Sequence, residues 1–334
     1  MTGPVQVERT RVAWVDTDAG GRIHFTAVFR WAEAAETVLG RSLGMLDDWG
    51  DYPRRAVEAE YLSVLRFEDE IEIELRPDHV VLIVFENKSA PQLLAARGAG
   101  TFRRLAERYA LLARYDAVAH PSLPNYLALV SGSTFGLVHD CLHCVVRGPS
   151  LADTLVAHGR SWKAYVEDLP ARATAIRRHS VKARIPFVYF HDVVDDPARM
   201  RSIVPLRAFA HDLRAGTLPS FSLVVPSLCH DMHSCSIRAG SRWLASFVRP
   251  LLHARRLRHG VVFVVFDEGR RHDLAGGGGH VAALVLGSLV RPDTVSLAPL
   301  SHYSLLRTIE DDWHLPRLGE SQEAPAIDGI WRRS

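Results

Sequence analysis

Four short apolar runs, HVVLIVF at 79–85, FSLVVP at 221–226, VVFVVF at 261–266 and VAALVL at 281–286, are rich in β-branched residues and lack polar alternation. Strands covered on both faces read this way. Between them, stretches at 122–130, 150–158 and 241–256 have helical spacing, and in the last one Trp243, Phe247, Leu251 and Leu252 fall on one stripe. The pattern predicts an α/β fold, a largely parallel sheet with helices on both faces. In such sheets chemistry gathers at the carboxyl ends of strands.

The start of the chain reads differently. Residues 5–15 suit a strand, broken at 16–21 by Asp, Thr and Gly, which favour turns. A helix is predicted over 27–43, with Val28, Trp31, Ala32, Ala35 and Leu39 on one stripe. Ile71, Ile73 and Leu75 alternate with Glu70, Glu72 and Glu74, as in a half-buried strand. Strand, long helix and antiparallel strands suggest a helix wrapped in a curved sheet, an α+β segment.

Charge divides the chain at the same place. The 334 residues carry 40 basic and 38 acidic side chains, a net of +2 that excludes a polyanion-binding machine. Residues 1–76 hold nine Arg and fifteen Asp or Glu, net −6, which leaves +8 for 77–334. Of 17 histidines only His24 precedes residue 77, and all four cysteines follow residue 140. The expected organisation is therefore a segment 1–76 and a domain 77–334. No run of eighteen apolar residues predicts a transmembrane helix. The charged N-terminus does not read as a signal peptide, so the expected location is cytoplasmic. The positive charge of the larger part is dispersed Arg without a basic helix, so no nucleic-acid partner is expected.

Polar clusters directly follow or precede the apolar runs. Glu86 and Asn87 leave the first run and offer oxygen ligands to a hard cation. Ala119-His120-Pro121-Ser122-Leu123-Pro124-Asn125-Tyr126 opens a helix, where the Ser122 hydroxyl lies near unpaired N–H groups and the positive dipole end. Asp231 and His233, with His230, share the loop after 221–226; Asp267 and Glu268 follow 261–266. Four glycines at 276–279 let the backbone pass close to a ligand and lead to His280. Four clusters at the ends of buried runs point to one convergent divalent metal site, with Ser122 as a metal-activated nucleophile.

HVVLIVFENKS, AHPSLPNYLALVSGSTFG, SWKAYVEDLP, PFVYF, VVPSLCHDMHSCS, VVFDEG, GGGGHVAALVLG and HYSLLRTIEDDWHLPRLG occur in that order from residue 79 to about 320. Together they resemble the bacterial phosphoesterase family of acid phosphatases, phospholipases C and phosphatidylinositol-3-phosphatases, within the alkaline-phosphatase superfamily. The resemblance implies an alkaline-phosphatase-like fold and metal ligands at Glu86, Asn87, Asp267 and Glu268. It also implies a nucleophile at Ser122, metal or phosphate contacts at His233 and His280, and support from Asp231 and Asn125. The family usually has Asp where this chain has Ser227, which implies a weakened metal position, and Asn where it has His230, which would compensate in part.

VAWVDTDAGGRIHFTAVFRWAEAAE followed by AEYLSVLRFEDEIEIELR resembles the first half of a hot-dog thioesterase of the 4-hydroxybenzoyl-CoA type. That resemblance places a carboxylate acting on a thioester at Asp18, and a partner subunit against the N-terminal segment in a homo-oligomer. On residues alone, Asp18 reads as a turn or cap. Roughly three strands precede Pro77, fewer than a hot-dog sheet needs, so a truncated segment is expected.

Cys141-x-x-Cys144, with His139 and His143 beside it, reads as half of a zinc site, as a local disulfide or as inert thiols. Cys229 and Cys235 offer no matching zinc spacing. The exported relatives imply local disulfides, whereas a cytosolic location implies thiols. The leading functional expectation is metal-dependent hydrolysis of phosphate monoesters through a phosphoserine, on a small phosphate ester or a phospholipid headgroup. A phospholipase C-type phosphodiesterase, an acyl-CoA thioesterase and an inactive fusion protein are the alternatives.

Overall fold

A computed structural model describes residues 6–42, 63–169, 180–254, 257 and 259–332. The chain divides into two compact units, Pro4–Arg76 with the last three residues, and Pro77–Trp331.

In the first unit β1 (Gln6–Arg11) pairs antiparallel with β2 (Glu70–Leu75), placing Gln6 opposite Leu75 and Arg11 opposite Glu70. Arg9 and Arg11 meet Glu72 and Glu70 across this exposed pair, where solvent screens the contacts. The helix Ala27–Ser42 buries Ala27, Ala35 and Leu39 along its apolar stripe. Ahead of it, buried Asp16 is held by Arg30 and by Trp31 Nε1 at 3.1 Å. Among the described residues this unit has two strands, not the three expected. Part of the sequence assigned to the curved sheet lies at 43–62, outside them.

The second unit is built on an eight-stranded sheet. Its strands are β3 (His79–Phe85), β4 (Ala110–Leu112), β6 (Trp162–Val166), β7 (Ile203–Pro205), β8 (Phe221–Val225), β9 (Gly260–Phe266), β10 (Ala283–Leu286) and β11 (Thr294–Ser296). Two further short strands, β5 (Tyr115–Asp116) and β12 (Leu300–Ser301), pair with each other. The sheet order is β11-β4-β10-β9-β3-β8-β6-β7. All pairings are parallel except those of β10 with β4 and β9, so one strand of eight runs backwards.

Val80 to Phe85 are each at most 1% exposed. Successive side chains point to opposite faces, so both faces of β3 are covered, as the unbroken apolar run demands. The helices pack in groups, Ile237–Leu252 against Gly100–Arg108 and His302–Asp312 against Ser122–Ser131. The first of these begins a turn earlier than its hydrophobic stripe, because the Ser236 hydroxyl caps it by accepting from Ala239 N. Among the described residues, no helix is long and apolar enough to cross a membrane.

Register sets the site. Phe85 lies opposite Phe266, and Ile83 opposite Val224. The residues that follow β3, β8 and β9 therefore emerge at one edge. The reversed β10, with Ala283 opposite Val265, brings the residues before it to that same edge. This is why 276–280, which precede their strand, belong with clusters that follow theirs.

Candidate active site

Ser122 is the first residue of the helix Ser122–Ser131, with Pro121 at its N-cap. Its Oγ lies 3.3 Å from Glu86 Oε2 and 3.4 Å from Glu268 Oε1. The hydroxyl has one proton to donate, so at any moment one carboxylate takes it. Glu86 also accepts from Tyr126 OH at 2.7 Å and from Asn87 Nδ2 at 3.1 Å. Asp267 Oδ1 accepts from the backbone N–H groups of Asn87 (3.0 Å) and Glu268 (2.6 Å). Among the described residues, Asp267 Oδ2 is buried and accepts no hydrogen bond within 3.5 Å, although the Ser122 hydroxyl is near enough to act on the carboxyl. The structure thus brings Glu86, Asn87, Ser122, Asp267 and Glu268 together.

The electrostatics follow from burial. Desolvation pushes the pKa of Glu86, Asp267 and Glu268 upward. For Asp267 the charges of Glu86 and Glu268 push further in the same direction, while the Ser122 hydroxyl and the Asn87 N–H oppose them. Lys88, whose Nζ donates to Met232 O at 3.0 Å and to Asn87 O at 3.3 Å, is lowered by its own burial. Three carboxyls have gathered with too little positive charge beside them.

Several residues that sequence reasoning passed over complete this arrangement. Arg184, 4% exposed, donates through Nη1 to Asp231 Oδ2 and to Pro226 O, both at 2.7 Å. His120 Nδ1 meets Glu268 Oε2, and its Nε2 donates to Asp273 O at 2.8 Å. Asp140 Oδ1 accepts from Leu123 N at 2.9 Å, capping the helix that presents Ser122. Tyr126 stands four residues after Ser122, on the same helix face, so its spacing was a usable signal. Arg184 had none, because it comes from a short 3₁₀ helix (Ser180–Arg184) distant in sequence from Asp231.

Other expected positions take different roles. Both oxygens of Asp231 are engaged, Oδ2 by Arg184 and Oδ1 by His233 N at 2.8 Å. It anchors an ion pair rather than standing open as a metal ligand, and its pKa is raised to about 7, by burial first and by Glu86 second. Asn125 spends its amide on backbone: Oδ1 accepts from Val118 N and Ala119 N, and Nδ2 donates to Ala119 O and Pro121 O. It holds the loop before Ser122 and offers no free polar atom to a substrate. His280 Nε2 donates to Ala113 O at 2.9 Å, and its backbone bridges to Asp116. It serves the loop before Ser122 rather than the carboxylates. His233 is exposed on the Asp231 loop, where its backbone N–H holds Asp231 Oδ1.

The glycine run also has a different neighbour from the one expected. A Cβ on Gly277 would stand 2.6 Å from Val118 O, and one on Gly278 would stand 2.4 Å from Ala119 O. The close approach is to the chain's own loop 116–119. Ser227 N donates to Glu167 Oε2 at 2.8 Å, and the Ser227 hydroxyl accepts from His230 N at 3.3 Å. His230 Nδ1 joins the same Glu167 oxygen, with its ring stacked on Trp243, so this stretch is a built turn. The cysteines form two local disulfides, Cys141–Cys144 and Cys229–Cys235. In the first unit, Asp18 Oδ1 accepts from Gly20 N and Arg22 N at 2.7 and 3.2 Å. Its carboxylate closes a turn.

The phosphoesterase family profile matches residues 92–316. The chain belongs to the phosphoesterase family. This phosphoesterase is 33% identical over 258 residues to a phosphatidylinositol-3-phosphatase of Mycobacterium tuberculosis, covering 76% of the chain and 82% of that relative. It is 30% identical over 228 residues to a phosphate-repressible acid phosphatase of Penicillium chrysogenum, covering 65% of the chain and 55% of that protein. The chain thus spans about half the length of that fungal relative. Among solved structures, an alkaline-phosphatase-superfamily protein from Vibrio parahaemolyticus aligns with a TM-score of 0.54 at 10% identity, covering 75% of this chain and 70% of that one. That likeness is one of fold. With its family and its phosphatase relatives, the chain is a phosphoric ester hydrolase. The profile match lies outside the first unit, and the hot-dog resemblance gains no support from it.

The sequence leads one to expect a divalent cation near these carboxylates. Among the described residues, no three His, Cys, Asp or Glu side chains stand grouped as a ready metal site. The donor chemistry nevertheless fits one: Asp267 Oδ2 is buried and unpartnered, and Glu86 and Glu268 flank the same hydroxyl. Carboxylate oxygens are the ligands that hard cations take.

Proposed function

We propose that this phosphoesterase hydrolyses phosphate monoesters through a phosphoserine at Ser122. The observation that carries the reading is the Ser122 hydroxyl at a helix start, between Glu86 and Glu268, beside the unpartnered Asp267 Oδ2. Glu86, Asp267 and Glu268 would hold the divalent cation, with Asn87 beside them. When bound, it supplies charge neutralisation for a serine alkoxide and for the phosphoryl oxygens.

The protein's own residues do the rest. Tyr126 and Asn87 fix the Glu86 carboxylate, and His120 fixes Glu268, so the Ser122 hydroxyl is aimed by two anchored acceptors. The positive end of the helix Ser122–Ser131 faces the incoming phosphoryl group and favours its negative charge. Ser122 Oγ attacks phosphorus and passes its proton to the Glu86 carboxylate 3.3 Å away, which returns it when the serine is released. The bond from phosphorus to the leaving oxygen breaks, and that oxygen takes a proton from water or from exposed His233. Water then attacks the phosphoserine, releasing inorganic phosphate and restoring the hydroxyl. The named activities of the relatives support a monoester over a diester.

The test is hydrolysis of an aryl phosphate by protein supplied with divalent metal. Ser122→Ala should lose about 10³-fold or more in kcat, and acid-quenched wild type should carry a phosphoryl group on the Ser122 peptide. Equal rates for the two proteins would falsify the reading.

A further inference from the structure

On the same edge of the sheet, beyond the ends of β6 and β7, lies a cavity of about 970 Å³ that catalysis as described leaves unused. The helices Arg207–Ala215 and Ile237–Leu252 wall it with Phe209, Leu213, Phe247 and Leu251, and Val166 forms part of its floor. Its size is at the upper end of small-ligand sites. Two guanidinium groups, Arg207 and Arg214, line it from one helix. Seven residues apart, they stand about 10 Å apart along the helix axis. Neither has an acidic partner among the described residues.

The acid on that helix is spent elsewhere. Asp212 Oδ2 accepts from Lys163 Nζ at 2.6 Å and Tyr165 OH at 2.7 Å. Of the two acids lining the cavity, Glu167 is occupied by Ser227 N and His230, while exposed Asp168 has no partner among the described residues. An apolar groove edged by two arginines that lack an acidic partner among the described residues, and by one anion, selects a ligand with an apolar body and a negative head. We propose that the cavity binds a single lipid phosphate molecule, its acyl chain against Phe209, Leu213 and Phe247 and its phosphate between Arg207 and Arg214. Glu167 ties this site to the catalytic loop, because the carboxylate that lines the cavity also fixes Ser227 and His230, just before Asp231. The site is separate from Ser122, and it stands whether or not the phosphoserine reading does.

The experiment is calorimetric titration of the full chain with dodecylphosphonate, in inorganic phosphate that saturates the catalytic site. Binding should weaken about tenfold for every two carbons removed from the chain, the ordinary gain per buried methylene. Dodecyl maltoside, which lacks the charge, should bind at least tenfold more weakly. Leu213→Trp, which fills the cavity, should abolish binding, and Arg207→Glu with Arg214→Glu should weaken it at least tenfold. Each variant should keep the wild-type aryl phosphate rate, which shows that it folds. Dodecylphosphonate binding that survives Leu213→Trp in an active protein, or that is independent of chain length, overturns the proposal.

Discussion

Glu310 and Asp267 are both buried carboxyls, and burial pushes the pKa of each upward, yet they are satisfied to different degrees. Glu310 Oε1 accepts from Leu318 N at 2.9 Å and Oε2 from the Ser321 hydroxyl at 2.5 Å, so neither oxygen lacks a partner. Asp267 keeps one oxygen without a hydrogen-bond donor among the described residues and shares its surroundings with Glu86 and Glu268. A buried acid with a shifted pKa is therefore not by itself a sign of chemistry. The unpaired oxygen and the crowding of like charge set the site apart, since both carry a cost that a proton relieves in part and a bound cation would relieve further. Arg184 marks the limit of what the protein compensates for itself, because its direct partner is Asp231 and not the three carboxyls around Ser122.

The largest effect should come from removing that compensation. Arg184→Met leaves Asp231 buried and unpaired, and breaking such a pair costs about 3–5 kcal/mol. Urea unfolding followed at neutral pH should show a lower midpoint with little change in slope. Wild-type stability in this variant would mean that Asp231 already carries its proton.

Asp267→Asn separates function from stability. One like charge disappears from the crowded side, so the thermal midpoint should hold or rise in metal-free protein. The aryl phosphate rate should fall about 10²–10³-fold, the usual cost of losing one charge-stabilising group. A parallel loss of stability would place Asp267 with Glu310, as a framework residue.

How much of this could be read from the sequence depended on the kind of signal. The run 79–85 gives β3 to the residue, because strands covered on both faces leave no polar interruption. The parallel sheet then makes the polar residues after each run converge, so Glu86, Asp267 and Glu268 could be grouped without coordinates. The three-residue strands β4, β7 and β11 were not legible, since three residues show no period. Side-chain direction was not legible either. His280 arrives at the expected edge but turns to Ala113 O, and Asn125 follows Ser122 by three residues yet faces backbone. Sequence gives a residue's address along a strand or helix, and the ring or amide direction is then decided by loops such as 116–121.

Glu310 supplies the contrasting pH behaviour. Its pKa is raised from 4.5 to about 7 in the folded chain, so the folded state holds this proton more tightly than the unfolded one. The stabilisation is fully present below pH 4.5 and is lost as pH rises through about 7. The shift corresponds to about 3 kcal/mol. Glu310→Gln should remove this part of the pH dependence while keeping the acceptor for Leu318 N. Denaturant midpoints of the two proteins across pH 4 to 8 would show it. A variant slope identical to wild type would mean that Glu310 ionises no differently on folding.

The smallest effect concerns how the helix bearing Ser122 is held. Asp140 contributes an acceptor to Leu123 N, and its charge adds to the negative crowding around Glu86 and Glu268. Two substitutions separate these contributions. Asp140→Asn keeps an oxygen for the cap and removes the charge, so stability should change by less than about 0.5 kcal/mol. Asp140→Ala removes both and should cost about 1 kcal/mol, the ordinary worth of a helix cap. If the Asn variant is destabilised as much as the Ala variant, the charge itself rather than the cap holds the helix start. The dipole of Ser122–Ser131 would then be the part of the site that the protein balances with its own anion, in contrast to the crowded carboxyls around Ser122.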